Sequence, residues 1–499
     1  MKRLVYFGLV VAAAAAFSGC PHDNHKDAGP GGGSGGGSTG GGATGGGTPD
    51  GGTGGGSAAG GGSATGGGGA GGGLGDSGVP RVDGGWCEQY GSFVHDGSGV
   101  HEIGPHVDGG DLSWLKIPVG FCAHYFATVG NARQLRFAPG GELFVASPTT
   151  STTGGGLRGK SAYVVLTDDD QNGLADDNVI VWRGSIPSAQ GMLFYDGGFY
   201  YQDSTKIMRE PYAPGDRSPS GSPALLADIT VYVDFLHWPK TMDVTDDGTI
   251  FVGNGSTQAE TCDTSRPFRG GIVALDATAD GGYRLVAKGM RNPIDLKCHH
   301  DGHNQCFASE LALDYSGSNA GREKLIPIRQ GDDWGFPCCA TQNTPYTDVC
   351  LTCTSATETT ANSTATCKAT GKCSPKCGGV VAENASFIIG DTPFGFEFID
   401  DQFPPPWDHI VAVTLHGAAG TWIGARVVAV QVDPATGIPL FGTNLPGQDA
   451  GTMRDLFTGW DDGHLAHGRP SDAALSKDGR LFIANDNTGV IFWVAPIGP

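Results

Sequence analysis

Beyond residue 20 the chain has no apolar run near the roughly 20 residues a membrane helix needs, so no later spanning segment is expected. It is also poor in cations. Only 31 Lys and Arg stand against 52 Asp and Glu, the net charge is −21, and the basic residues form no cluster. Without a positive stripe nothing is placed to neutralise phosphates, which argues against nucleic acid as a partner. Long 3.6-residue periodicity is nearly absent as well, and that excludes a helical bundle or coiled coil.

What is present begins with an N-terminal signal. Lys2 and Arg3 precede an apolar stretch from Leu4 to Ala16 that closes on Phe17-Ser18-Gly19-Cys20. Residues 1–20 therefore read as an export signal. Their ending resembles a bacterial lipobox, which implies lipidation of Cys20 as the mature N-terminus. The alternative is an ordinary secretory signal with an unrelated cysteine. Residues 21–78 follow, with Gly, Ser, Thr and Ala dominating from Gly29 to about Gly75. Such a segment cannot bury enough apolar surface to offset its ordering entropy, so a flexible tether is expected. The expected location is the bacterial cell envelope, held to a membrane by the lipid. Residues 79–499 form the folded part, long enough for several domains or one repeat architecture.

There are 13 cysteines, and setting Cys20 aside leaves an even 12 in an exported chain, consistent with up to six disulfides. Cys298 and Cys306 flank a short turn and form a natural pair. Seven cysteines fall between Cys338 and Cys377 in a Thr/Ser-rich stretch with little hydrophobic pattern. Residues 338–378 are expected to be a stapled loop insert. Zinc is the rival, through Cys350 with Cys353 and Cys373 with Cys377.

Six segments share one plan of alternating apolar residues, a polar turn and a second apolar strand: 135–147, 192–202, 242–255, 296–310, 396–415 and 473–486. Asp-Gly or Gly-Gly turns recur in them, as tight hairpins require. The first four are spaced by about fifty residues, near propeller periods. A single four-stranded blade cannot cover both of its faces, whereas blades stacked around an axis can. The expected fold is all-β: a six-bladed β-propeller with a disulfide-rich loop insert. A large sandwich or a β-helix is the alternative.

Four groups of residues could carry chemistry. His237 lies with Trp238 and Lys240 just ahead of a strand–turn–strand unit. Gly289-Met290-Arg291-Asn292-Pro293 is a rigid turn that aims a guanidinium and an amide together. Thr392-Pro393-Phe394-Gly395 is followed by Leu415-His416-Gly417. Gly468-Arg469-Pro470-Ser471-Asp472 opens the last repeat. Each has a bland reading as a capped turn or a structural histidine.

In order, these motifs resemble the glucose/sorbosone dehydrogenase family, six-bladed propellers that use pyrroloquinoline quinone (PQQ). The resemblance runs from about Ala132 to the end. It includes His237 to Gly255, Gly289 to Pro293, Glu310 with Glu323 to Ile328, Gly331 to Pro337, Pro393 to Phe398, His416-Gly417, and Gly468 to Asp472 with Asp478-Gly479 and Asp486. It implies a dehydrogenase for a sugar or a related aldehyde or alcohol, with electrons passed on to an acceptor the sequence does not identify. His237 would be the base, since an imidazole titrates near neutrality, and Arg291 would polarise the accepting carbonyl. Asn292, Arg469, Arg133, Lys240 and His416 would hold the cofactor, the guanidinium groups pairing with its carboxylates. Glu310 would stand near a cofactor calcium. The chain departs from the pattern at Leu236, where family members often carry an acidic residue. It departs again at Leu311-Ala312-Leu313-Asp314, which lacks the Gly-Pro whose carbonyls help hold that calcium.

A second calcium candidate rests on spacing alone. Asp168, Asp170, Asn172 and Asp176 place oxygens at positions 1, 3, 5 and 9 of a loop with Gly173 at position 6, as in an EF-hand loop, but Val179 takes the place of the closing Glu. A solvated acidic hairpin is the alternative. Besides the dehydrogenase, two readings remain open: a non-catalytic propeller that binds a glycan or protein at the cell surface, and a calcium-dependent propeller lactonase or hydrolase.

Overall fold

In the computed structural model, residues 82–498 are described except 108, 148–160, 177–178, 187, 231–236, 257–269, 301, 313–321, 337–338, 342–343, 346–365, 368–372, 375–378, 384, 389, 419–420, 441, 444–451 and 464. The proposed signal, Cys20, the tether, Leu236 and most of the cysteine-rich insert lie outside them. Among the described residues helix is confined to 3-10 turns, and no helix is long and apolar enough to cross a membrane.

Six sheets follow one another as blades, antiparallel throughout their inner strands. From the centre outwards, blade 1 is Gln134–Phe137, Leu143–Ser147, Ala162–Leu166 and Ile180–Gly184. Blade 2 is Met192–Tyr195, Gly198–Asp203, Lys206–Pro211 and Ala224–Asp228. Blade 3 is Met242–Val244, Ile250–Asn254, Gly271–Leu275 and Tyr283–Lys288. Blade 4 starts with Asn292–His299, Gln305–Leu311 and Glu323–Pro327. Blade 5 starts with Pro393–Ile399, Ile410–Leu415 and Arg426–Asp433, and Met453–Phe457 pairs with the last of these. Blade 6 is Arg469–Leu475, Leu481–Asp486 and Val490–Pro496. All six repeats read from the sequence are the two inner strands of these blades. Their alternation and tight turns are local signals, so they survive folding unchanged.

Blade 6 takes its fourth strand from the other end of the described chain. Phe121–Thr128 pairs antiparallel with Val490–Pro496, from Phe121 opposite Pro496 to Thr128 opposite Val490. This closes the ring, and the Cys87–Cys122 disulfide ties the preceding segment to the closing strand. Cys298 and Cys306 are register partners on blade 4 and form the expected bridge.

The core is distributed as six hydrophobic clusters, one between each pair of neighbouring blades. In Leu143–Ser147 the pleat sends Leu143 and Val145 towards blade 6, while Phe144 and Ala146 face blade 2. Both faces of a blade are buried, which is why the second and third strands read as nearly unbroken apolar runs. Each fully buried large side chain contributes about 1.5–3 kcal/mol relative to exposure.

Candidate active site at one mouth of the propeller

The inner strands pack against one another in ring order, and the backbone N–H of Phe396 on blade 5 donates to Asp295 at the matching level of blade 4 (3.2 Å). They run in the same sense, so their first residues, together with the last residues of the second strands, gather at one mouth. Arg133 precedes the inner strand of blade 1. His237 and Lys240 precede that of blade 3. Asn292 opens that of blade 4 with Arg291 in front, and Arg469 opens that of blade 6. Glu310 and His416 lie at the ends of second strands on blades 4 and 5. The topology thus brings all seven proposed catalytic and cofactor residues, and Glu310, to one end of the channel.

His237 is 2% exposed, and its Nδ1 lies 2.8 Å from the Ser256 carbonyl oxygen. A carbonyl only accepts, so Nδ1 carries a proton and donates it. Ser256 in turn donates its backbone N–H to the Arg291 carbonyl (2.7 Å), tying the histidine to the Arg-Asn-Pro turn. Gly255 makes this packing feasible, because a Cβ there would stand 2.5 Å from both the His237 Cβ and its carbonyl oxygen. Gly289 has φ +77, and a Cβ on it would meet the Gly335 nitrogen at 2.6 Å. Two motifs read separately in the sequence therefore meet, and the Phe336 N–H donates to the Gly289 carbonyl (2.8 Å).

Lys240 is fully buried, and its Nζ donates to Asn254 Oδ1 at 2.7 Å. Burial pushes its pKa down to about 8, against the pull of Asp228. Arg469 stacks over Trp422, 4.7 Å from the ring centroid, and its Nε donates to the His416 carbonyl (3.1 Å). Burial lowers its pKa to about 10. Among the described residues neither Lys240 nor Arg469 has a carboxylate within ion-pair distance. Asn292 Oδ1 is buried and accepts no hydrogen bond from the described residues. Arg133 sits 5.1 Å from the Phe394 ring and pairs with Asp486 (3.2 Å), which also faces His416 Nε2 (3.0 Å). The bridging part of Asp486 went unrecognised in the sequence, where it was only the end of a motif. Ser256 contributes a backbone atom, which carries no side-chain signal.

The calcium candidates separate. Glu310 accepts the Arg291 N–H (2.9 Å) with one oxygen and meets Lys324 Nζ (3.3 Å) with the other. The Ala312 carbonyl, in the segment after Glu310 that departs from the family pattern, accepts from Arg291 Nη1 (2.7 Å). Asp168, Asp170, Asn172 and Asp176 lie between the third and fourth strands of blade 1, at the opposite end of the channel from His237. There Asp168 pairs with Arg480 (3.2 Å), and its pKa is raised to about 6 by burial. Asp176 accepts from Thr167 (2.5 Å) and Asn172 from the Leu174 N–H (2.8 Å). Among the described residues no three His, Cys, Asp or Glu side chains are grouped to hold a metal.

The molecule is thus a closed six-bladed propeller with histidine, lysine and arginine gathered at one mouth. No family model and no curated protein matches the chain. Among solved structures it is similar to a Trichoderma reesei carbohydrate-active enzyme of family AA12, solved as a calcium structure, with 16% identity, 77% of this chain and 97% of that one covered, and TM-score 0.58. It is also similar to the holo form of the pyranose dehydrogenase PQQ domain from Coprinopsis cinerea, at 17% identity, 76% and 97% coverage, and TM-score 0.56. A structure described as glucose dehydrogenase follows at 12% identity, 74% and 98% coverage, and TM-score 0.50. At these identities the likeness is one of fold.

Proposed function

We propose that this protein is a PQQ-dependent dehydrogenase that oxidises a sugar or a related aldehyde or alcohol. The observation that carries the reading is the pairing, at one mouth, of a histidine whose Nδ1 carries a proton with a fully buried lysine and a part-buried arginine that have no carboxylate within ion-pair distance among the described residues. Buried cations of this kind call for an anionic ligand, and a tricarboxylate fits them. When bound, PQQ would supply an o-quinone that accepts the hydride. His237 Nε2 takes the substrate hydroxyl proton as hydride leaves carbon. Arg291 and Asn292 orient the accepting end, and Lys240, Arg469 and Arg133 hold carboxylates. Two solved propellers of the same fold are described as a pyranose dehydrogenase PQQ domain and a glucose dehydrogenase, which agrees with this assignment. Glu310 Oε1 accepts the Arg291 N–H and Oε2 lies 3.3 Å from Lys324 Nζ, so the carboxylate's charge is balanced by a lysine rather than by a calcium ion. The export signal, Cys20 and the tether support a lipid-anchored protein of the cell envelope that passes its electrons to an acceptor there.

The test is reconstitution with PQQ, with and without Ca²⁺, followed by desalting, quinone absorbance and dye reduction with a panel of aldoses. Retained quinone and aldose-dependent dye reduction are expected. Absence of both overturns the proposal.

A further inference from the structure

A cavity opens on the mouth-side rim of blade 5. It has a volume of about 640 Å³, within the range of small-molecule sites. It is lined by Asp391, Arg426 and Asp455 together with Trp114, Ile423 and Asp461, among others. Arg426 is pinned from both sides, with its Nη2 at 3.0 Å from Asp391 and its Nε at 3.0 Å from Asp455. A buried pair such as Asp391–Arg426 adds little net stability, because desolvation offsets the attraction. What it supplies is planar donors and acceptors in fixed positions. Asp461 accepts the Gly424 N–H (2.9 Å), which fixes the next turn of the rim.

The apolar side is equally fixed. Trp114 packs edge-on against Trp460 (5.2 Å between centroids) and stacks on His467 (4.2 Å). Ile423 is 62% exposed at the rim. Carboxylates outnumber cations in the lining, so the cavity disfavours anions. Rigid planar polar groups beside an aromatic and an aliphatic wall match a neutral molecule with adjacent hydroxyls and apolar C–H faces, which is a saccharide.

The cavity also adjoins the mouth. Arg426 is the register partner of Leu415, the residue before His416, and neighbouring strands are about 4.8 Å apart. Trp422 lies under Arg469 at the mouth, while the next residues, Ile423 to Arg426, line the cavity. One short segment is therefore wall to both.

We propose that this cavity binds the distal units of an oligosaccharide whose terminal sugar reaches the mouth. The substrate class is then oligosaccharide rather than free monosaccharide, an inference that rests on the sugar-oxidation reading. The test has two arms. In the first, the full-length protein without added quinone is titrated with glucose, maltotriose, cellotriose and mannotriose, by calorimetry and tryptophan fluorescence. At least one trisaccharide should bind with Kd of about 1 mM or tighter, at least about tenfold tighter than glucose. Asp455→Asn, which keeps the shape of a part-exposed side chain, should weaken that binding by about tenfold without shifting Tm. Trp114→Ala should abolish the fluorescence response. In the second arm the quinone-loaded protein should show a KM for the trisaccharide raised about tenfold by Asp455→Asn, with kcat/KM for glucose unchanged. If no trisaccharide binds at about 10 mM, or Asp455→Asn binds like the wild type, the cavity assignment is wrong. Trisaccharide binding without turnover would leave the cavity assigned and remove the dehydrogenase reading instead.

Discussion

Lys297 and Lys240 are both almost completely shielded from water, one inside the channel and one at its mouth, and their surroundings differ in kind. Lys297 Nζ lies 3.1 Å from Glu397, 3.8 Å from Asp472 and 2.6 Å from the Ala473 carbonyl. Burial pushes its pKa down, but Asp472, Glu397 and Asp295 outweigh this and raise it. The rest of the channel follows the same rule. Arg136 pairs with Asp243 (3.6 Å), and Gln134 donates to Asp295 (3.3 Å). Lys240 has an amide for a partner and its pKa falls to about 8. Inside the channel charge is matched by charge from other blades, which locks the ring. At the mouth Arg133 pairs with Asp486, whereas Lys240 is fully buried and Arg469 part-buried with no carboxylate within ion-pair distance among the described residues, which suits an anionic ligand.

The largest expected effect tests the mouth directly. His237→Ala should lower kcat by about 10²–10⁴-fold, the usual contribution of a positioned general base, while quinone absorbance after desalting stays as in the wild type. Turnover within a few-fold of wild type in stopped-flow dye reduction would remove His237 from the chemistry. Next come the two lysines. Lys297→Met takes the cation from fully buried Asp472 and part-buried Glu397, and should cost about 3–5 kcal/mol in urea unfolding. Lys240→Met strands no carboxylate, so it should leave stability unchanged or raise it. Equal losses in the two variants would erase the distinction between the regions. A smaller effect is expected in binding: Lys240→Met and Arg469→Gln should each weaken PQQ by about 10- to 100-fold in fluorescence titration, since one charge-assisted bond is worth about 1.5–3 kcal/mol.

Much of this was legible in the sequence, and the reasons are physical. The six hairpins could be found because alternation and Asp-Gly turns are local, and they map onto the inner strands of all six blades. His237, Lys240, Arg291, Asn292, Arg469, Arg133 and His416 converge because each lies at a strand start or end on the same side of its hairpin. The strand Phe121–Thr128 was not recognised as the closing strand, since its partner lies at the far end of the chain and nothing local marks the pairing. The channel network around Lys297 and Asp472 was missed for the same reason: its members come from five different blades. The acidic loop at Asp168 fitted a spacing rule, but the rule says nothing of which end of the channel the loop occupies, nor that Arg480 lies against it.

The subtlest contrast is in pH dependence. Lys240 has its native pKa lowered from 10.5 to about 8 by burial. Below about pH 8 it is charged in both states, and the full cost of burying that charge is present. Between about 8 and 10.5 the unfolded chain holds the proton and the native one does not, so this residue makes stability rise with pH. Asp472 acts in the opposite sense and in a different window. Its pKa is raised, chiefly by burial and against the pull of Lys297, so the native state holds the extra proton and stability falls as pH climbs above the usual carboxylate range. Unfolding free energies of the wild type minus those of Lys240→Met should therefore rise between pH 8 and 10, and those of the wild type minus Asp472→Asn should fall between pH 5 and 8. A carboxylate ligand at the mouth holds Lys240 charged, so saturation with PQQ should flatten the first slope and leave the second untouched. If PQQ leaves the Lys240 slope as it was, the lysine does not meet the ligand, and the contrast between mouth and channel has another origin.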